Sequence, residues 1–128
     1  MGNYNLSTRA QYDLVGIYKY GIKFFGPQQA SKYLLNLGSF LEELAERPEL
    51  AKDASAISGS LKYYSYKAHV IFYQFDSANE IFIVRVLGKR MNFVEHLQSS
   101  NKRLHNTAAG LFNILPMVKN HIFRETNL

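Results

Sequence analysis

The sequence predicts a two-layer α+β domain in the order strand, helix, helix, strand, strand, strand. Three observations lead there. Two apolar stripes at helical spacing follow one another with only Gly26-Pro27 between them. Three β-type runs come next, separated by short polar breaks. A short strand-like segment, Tyr4 to Ser7, precedes the first helix.

Ser7 suits the N-cap of that helix, because its hydroxyl can accept a bond from a free N–H of the first turn. Ala10, Leu14, Ile17, Tyr18, Gly21 and Phe25 then form one stripe, the spacing of an amphipathic helix. Gly26 fits the end of this helix. Pro27 fits the start of the next, where its missing N–H costs nothing. The second stripe is Ala30, Tyr33, Leu34, Leu37, Leu41, Leu44 and Ala45. It stops at Arg47, since the residue before Pro48 is pushed out of helical geometry. So short a joint predicts an antiparallel α-hairpin, Thr8 to Phe25 and Pro27 to Arg47.

Glu49 to Ser60 is small and polar and reads as loop. The β-type runs are Leu61 to Tyr66, His69 to Phe75 and Glu80 to Leu87. Their breaks, Lys67-Ala68 and Asp76-Ser77-Ala78-Asn79, are short enough for hairpins, so the three strands form an antiparallel meander. In the last run, strict alternation puts Phe82, Val84 and Val86 on one face and Ile81, Ile83, Arg85 and Leu87 on the other. Both sets are largely apolar, which predicts a central strand. The hairpin covers one face of an antiparallel sheet, and the first strand joins that sheet non-locally.

A chain of 128 residues is one domain by default. With no Cys in the sequence, disulfides, zinc–thiolate sites and a thiol nucleophile are excluded. No apolar run reaches the length of about 18 residues that a membrane span needs. The N-terminus has no basic segment leading into an apolar one, so no signal peptide is expected and the location implied is cytoplasmic. The formal net charge of +5 suits an acidic partner or simple solubility. Paired carboxylates, a glycine-rich phosphate loop and a Ser/His/Asp set at usable spacing are all missing, so no catalytic residues, metal ligands or cofactor are named.

Certain motifs resemble the ParE/RelE toxin superfamily, on its ParE branch. Leu6-Ser7 and Ala10-x-x-Asp13-Leu14-x-x-Ile17-x-x-Tyr20 look like the first strand and helix of ParE toxins. Phe25-Gly26-x-x-Gln29-Ala30-x-x-Tyr33 looks like their helix joint, and Leu44-Ala45-x-x-Pro48 like the end of their second helix. His69-Val70-Ile71-Phe72-Tyr73 and Ile83-x-Arg85-Val86-Leu87-x-x-x-Met91 look like their last two strands. The resemblance implies a toxin domain over residues 1–92, with 93–128 as an extension of unassigned role. The chain departs from the pattern at Gly88 and Asn92, where the family often has His and Asp.

The resemblance implies a RelE/ParE-like fold and the toxin of a bacterial type II toxin–antitoxin pair. Its target would be DNA gyrase, poisoned without catalysis. Its partner would be a ParD-like antitoxin, through which it would reach operator DNA. Target contacts are expected at Lys62, His69, Arg85, Lys89, Arg90 and Met91. Antitoxin contacts are expected at Tyr12, Tyr18, Tyr20, Phe24 and Tyr73, from a partly helical segment lying between the hairpin and the sheet.

Two rival functions share the fold. One is a RelE-like, ribosome-dependent endoribonuclease, which needs proton-transfer groups and cations around a phosphate. Lys62, Lys67, Arg85, Lys89 and Arg90 supply cations, and His96 is the available proton carrier. The other is an inactive member that only binds antitoxin as a corepressor. Arg85 interrupts an apolar strand, so it is either paired within the fold or aimed at a ligand. Asp13 is read as capping or pairing locally. His69 is read either as a surface contact or as a core-edge histidine bonded to backbone. Tyr63, Tyr64, Tyr66 and Tyr73 are either base-stacking rings or sheet core and edge.

Overall fold

The structure, a computed structural model, describes residues 2–97. The elements are β1 (Asn3–Leu6), α1 (Thr8–Phe25), α2 (Pro27–Glu46), β2 (Lys52–Asp53), β3 (Lys62–Tyr66), β4 (His69–Ser77) and β5 (Glu80–Gly88). A 3-10 turn at Pro48–Leu50 leads into β2, and residues 93–97 are helical. The sheet order is β1-β5-β4-β3-β2. No helix among the described residues is long and apolar enough to cross a membrane. The rest of the extension, residues 98–128, lies outside the described residues.

Ser7 caps α1 as its position suggests: its Oγ accepts from the Ala10 N–H at 2.9 Å. Gly26 joins the helices at φ 87°, a conformation that costs glycine little because it lacks a Cβ. Pro27 opens α2. The two stripes then meet the sheet. Leu14, Leu34, Leu37, Leu41 and Leu44 are fully buried with Ile71, Tyr73, Ile81, Ile83 and Val86. Each such side chain contributes about 1.5–3 kcal/mol by leaving water.

Four features differ from the sequence reading. First, β1 pairs with β5 in parallel, Asn3 opposite Glu80 through Leu6 opposite Ile83, so the sheet is mixed; the other pairs are antiparallel. Second, Lys52–Asp53 lies in the stretch read as loop and forms a fifth strand, too short and polar to show a pattern.

Third, β5 carries a bulge. Phe72 pairs with Arg85 but Tyr73 pairs with Ile83, leaving Val84 as the extra residue. A bulge shifts the alternation by one position. Ile81, Ile83 and Val86 therefore face the helices, while Val84 and Leu87 pack on the second face. Arg85 moves to the second face beside Phe72.

Fourth, the second face has its own core. Val70, Phe72, Leu87, Ala54, Leu61 and Leu97 are buried there. The Phe93 ring meets Phe72 edge-on at 5.1 Å. Packing thus runs past residue 92, through Leu97.

Candidate functional site

β1 ends at Leu6, so among the described residues no strand lies beside the outer edge of β5 beyond Ile83. Side chains of the α1 region take over. The Ser7 N–H donates to the Ile83 carbonyl at 2.9 Å, and Ser7 Oγ donates to the Val84 carbonyl at 2.6 Å. Asp13 Oδ2 accepts from the Val86 N–H at 2.9 Å.

Arg85 completes this edge. Its Nε and Nη2 donate to the two Asp13 carboxylate oxygens at 2.7 and 2.8 Å. Its Nη1 donates to the His96 carbonyl at 3.1 Å. The Arg85 side chain is 4% exposed and that of Asp13 11%. This corrects two expectations. Arg85 is not a target contact, because its donors are turned inward onto Asp13 and His96. Asp13 does not pair locally; its partner lies 72 positions away. Bidentate geometry is what allows such a pair to offset its desolvation.

The loop after β5 is held by its backbone. The Lys89 N–H donates to the Ala68 carbonyl at 3.1 Å, and the Met91 N–H to the Gly88 carbonyl at 3.1 Å. The Gly88 N–H points at Met91 Sδ, 3.3 Å away. Lys89, Arg90 and Met91 are exposed together. The Lys89–Ala68 bond brings this basic loop against the β3–β4 turn, and so near Lys67.

Lys62 does not join them. It lies four residues from Tyr66 along β3, roughly 13 Å at strand rise, and its Nζ is 4.0 Å from Asp53.

A groove of about 610 Å³ opens between the C-terminal half of α1, the N-terminal half of α2 and the β3–β4 turn. Tyr33 and His69 meet on its floor, with the Tyr33 hydroxyl 2.7 Å from His69 Nδ1. His69 is thus half-buried and bonded to a side chain rather than to backbone. Burial pushes its pKa down, against a smaller upward pull from Asp13. Burial, helped by Tyr66, pushes the Tyr33 phenol up to about 12. Lys67 Nζ lies over the rings of Tyr66 and Tyr33, at 5.5 and 5.8 Å from their centroids.

Aromatic side chains crowd the rim. Tyr20, Phe24 and Phe25 are 59%, 56% and 67% exposed. Tyr20 packs on Phe24 with centroids 4.5 Å apart. Of the expected antitoxin contacts, Tyr20 and Phe24 stand here, and Tyr12 and Tyr18 are half-buried. Tyr73 is a correction: it is wholly buried under the helices and unreachable by any partner. Alternation along β4 explains this, since Tyr73 shares the helix face with Ile71 while Val70 and Phe72 take the other. The other tyrosines also go into packing. Tyr64 and Tyr66 lie on Phe40, and Tyr63 on Phe72.

Sequence reasoning missed Tyr33, Lys67, Phe25, Gln29 and Asn36 as members of one site. Tyr33 and Phe25 were absorbed into stripes, and Lys67 sits in a tight turn at φ 51°. The helical members share one signal, the lack of acids between Ile17 and Asn36, and Lys67 lies outside that stretch.

The family model described as "ParE toxin of type II toxin-antitoxin system, parDE" matches residues 4–93. Toxin ParE1 of Caulobacter vibrioides is 33% identical over 97 residues, covering 76% of this chain and 99% of that protein. Toxin ParE1 of Mycobacterium tuberculosis is 30% identical over 94 residues, covering 73% and 96%. A solved structure described as the chromosomal ParDE TA system from P. aeruginosa aligns with a TM-score of 0.57 at 17% identity. That alignment covers 69% of this chain and 95% of the other.

Proposed function

Since the chain belongs to the ParE toxin family of type II toxin–antitoxin systems, we propose that it poisons DNA gyrase in the bacterial cytoplasm and is silenced by a ParD-like antitoxin. The observation that carries the non-catalytic reading is the Asp13–Arg85 pair. A phosphate-cleaving site on this sheet would need Arg85 turned toward substrate, and its guanidinium is held by Asp13 and the His96 carbonyl. What remains available for a target is the exposed loop Lys89-Arg90-Met91. Two cations there suit acidic gyrase residues or the DNA that gyrase holds, and the Met91 thioether adapts to varied surfaces.

The exposed Tyr20 and Phe24 suit the apolar face of an antitoxin helix. Operator DNA is reached through the antitoxin.

Purified chain, gyrase and supercoiled plasmid provide the test. Linear DNA should accumulate after denaturation and proteolysis, and added antitoxin should abolish it. Codon-phased cuts in messenger RNA on translating ribosomes, without plasmid cleavage, would replace this reading with the endoribonuclease.

A further inference from the structure

The groove beneath the hairpin tip has a chemistry that the gyrase reading does not use. Tyr20 and Phe25 stand largely exposed on its rim, with Tyr20 braced on one side by Phe24. Lys32 on α2 and Lys67 in the β3–β4 turn supply cations from two walls, and Gln29 and Asn36 supply side-chain amides. Among the described residues, none that lines it is Asp or Glu. Lys67 is settled over two tyrosine rings. The Lys89 backbone bond to Ala68 sets a second basic segment beside the same turn.

We propose that this groove binds a short stretch of single-stranded nucleic acid, with its bases on Tyr20 and Phe25 and its phosphates at Lys32 and Lys67. Aromatic rings interleaved with cations form the common platform for unpaired strands, because every base has a face to stack and every link a phosphate. The amides of Gln29 and Asn36 can meet base edges, which an acidic peptide would not require. Size agrees as well. A volume of about 610 Å³ falls in the range of small-ligand sites. The α1 wall from Ile17 to Phe25 is roughly 12 Å long at helical rise, room for about two nucleotides. A duplex would be refused, since its bases are already stacked on one another. A protein acting where DNA is opened would meet such a strand.

The test uses the full chain and a fluorescein-labelled dT12, read by anisotropy across a salt series, with no gyrase present. A failed gyrase reading therefore leaves its result unchanged. Wild type should bind dT12 saturably and bind a 12-base-pair duplex more weakly. Lys32→Ala/Lys67→Ala should weaken dT12 binding at least tenfold. It should also flatten the log–log salt slope by about 1.4, for two phosphates released on a single strand. Tyr20→Ala/Phe25→Ala should weaken binding by a similar factor at an unchanged salt slope. Thermal melts of both variants should match wild type, since all four side chains are at the surface; should either melt early, Lys32→Gln/Lys67→Gln replaces the lysine pair and Tyr20→Leu/Phe25→Leu the aromatic pair. Three results would overturn the proposal: no saturable binding by wild type; binding lost only in Lys89→Ala/Arg90→Ala; or a Glu-rich helical peptide binding the groove where dT12 does not.

Discussion

Asp13 and Arg85, 72 positions apart, join through two hydrogen bonds of 2.7 and 2.8 Å at the outer edge of β5. The same carboxylate accepts the Val86 N–H, and the same guanidinium reaches the His96 carbonyl. One ion pair therefore links α1 on the first face of the sheet to the 93–97 helix on the second.

Removing one partner should be costly. Asp13→Asn leaves a guanidinium buried beside a neutral amide, and breaking such a pair typically costs about 3–5 kcal/mol. Urea denaturation should show that loss as a lower midpoint at unchanged slope. The double variant Asp13→Leu/Arg85→Met should recover only part of it: no unpaired charge remains, but the Val86 N–H and the His96 carbonyl lose these partners.

Stability should also depend on His69. Burial depresses its pKa in the fold, whereas the unfolded chain titrates near 6.5. The unfolded state then binds more protons at mildly acidic pH, so stability rises with pH in that window. Conversely, it falls as pH drops below about 6.5, until the folded state also takes up its proton. His69→Gln should remove this part of the slope. Midpoints measured at half-unit steps from pH 5 to 8 decide it, with the remaining histidines cancelling between the two proteins.

Gly21 sets how closely the hairpin closes. A Cβ there would stand 2.9 Å from Ala30 Cβ and 3.3 Å from Ala30 Cα. Gly21→Ala gains up to about 1 kcal/mol of helix propensity. The clash with a packed helix costs more, typically about 1–3 kcal/mol. The expected result is a net loss of stability, relieved by the second change Ala30→Gly. Thermal melts of the single and double variants measure both.

The basic loop should matter for toxicity and not for folding. Lys89 and Arg90 are exposed, so Lys89→Ala/Arg90→Ala should change stability by within about 0.5 kcal/mol. Growth inhibition and DNA-damage signalling after induction should nonetheless weaken. Full toxicity in this variant would move the target surface elsewhere.

The helices and the meander were legible because each has a period of its own. Leu14, Leu34, Leu37 and Leu41 repeat at helical spacing, and Gly26-Pro27 marks their joint. The parallel pairing of β1 was not legible, since four residues carry no record of a partner 77 positions on. The bulge at Val84 was hidden for another reason. Val84, Val86 and Leu87 are all apolar, so a slip of one residue leaves the pattern unchanged while exchanging the faces of Arg85 and Val86. Arg85 was lost as a contact because its partner Asp13 lies 72 positions away, and Tyr73 because a single apolar strand does not say which of its faces the helices cover. The groove draws on three separate segments, and only folding reveals that Tyr33, Lys67 and His69 are neighbours.

The place of β5 between β1 and β4 bears on how the molecule is born. Synthesis runs from the N-terminus, and β1 waits for a partner until residues 80–83 have emerged. Asp13 waits longer, for Arg85. Contacts so distant in sequence form slowly, because the intervening chain must first be ordered. A nascent chain halted anywhere before Gly88 would hold the helices without the strand that closes both halves of the sheet. Message truncated ahead of the Gly88 codon should therefore yield inert, protease-sensitive fragments, so that the cell meets a working toxin only after β5 has been translated.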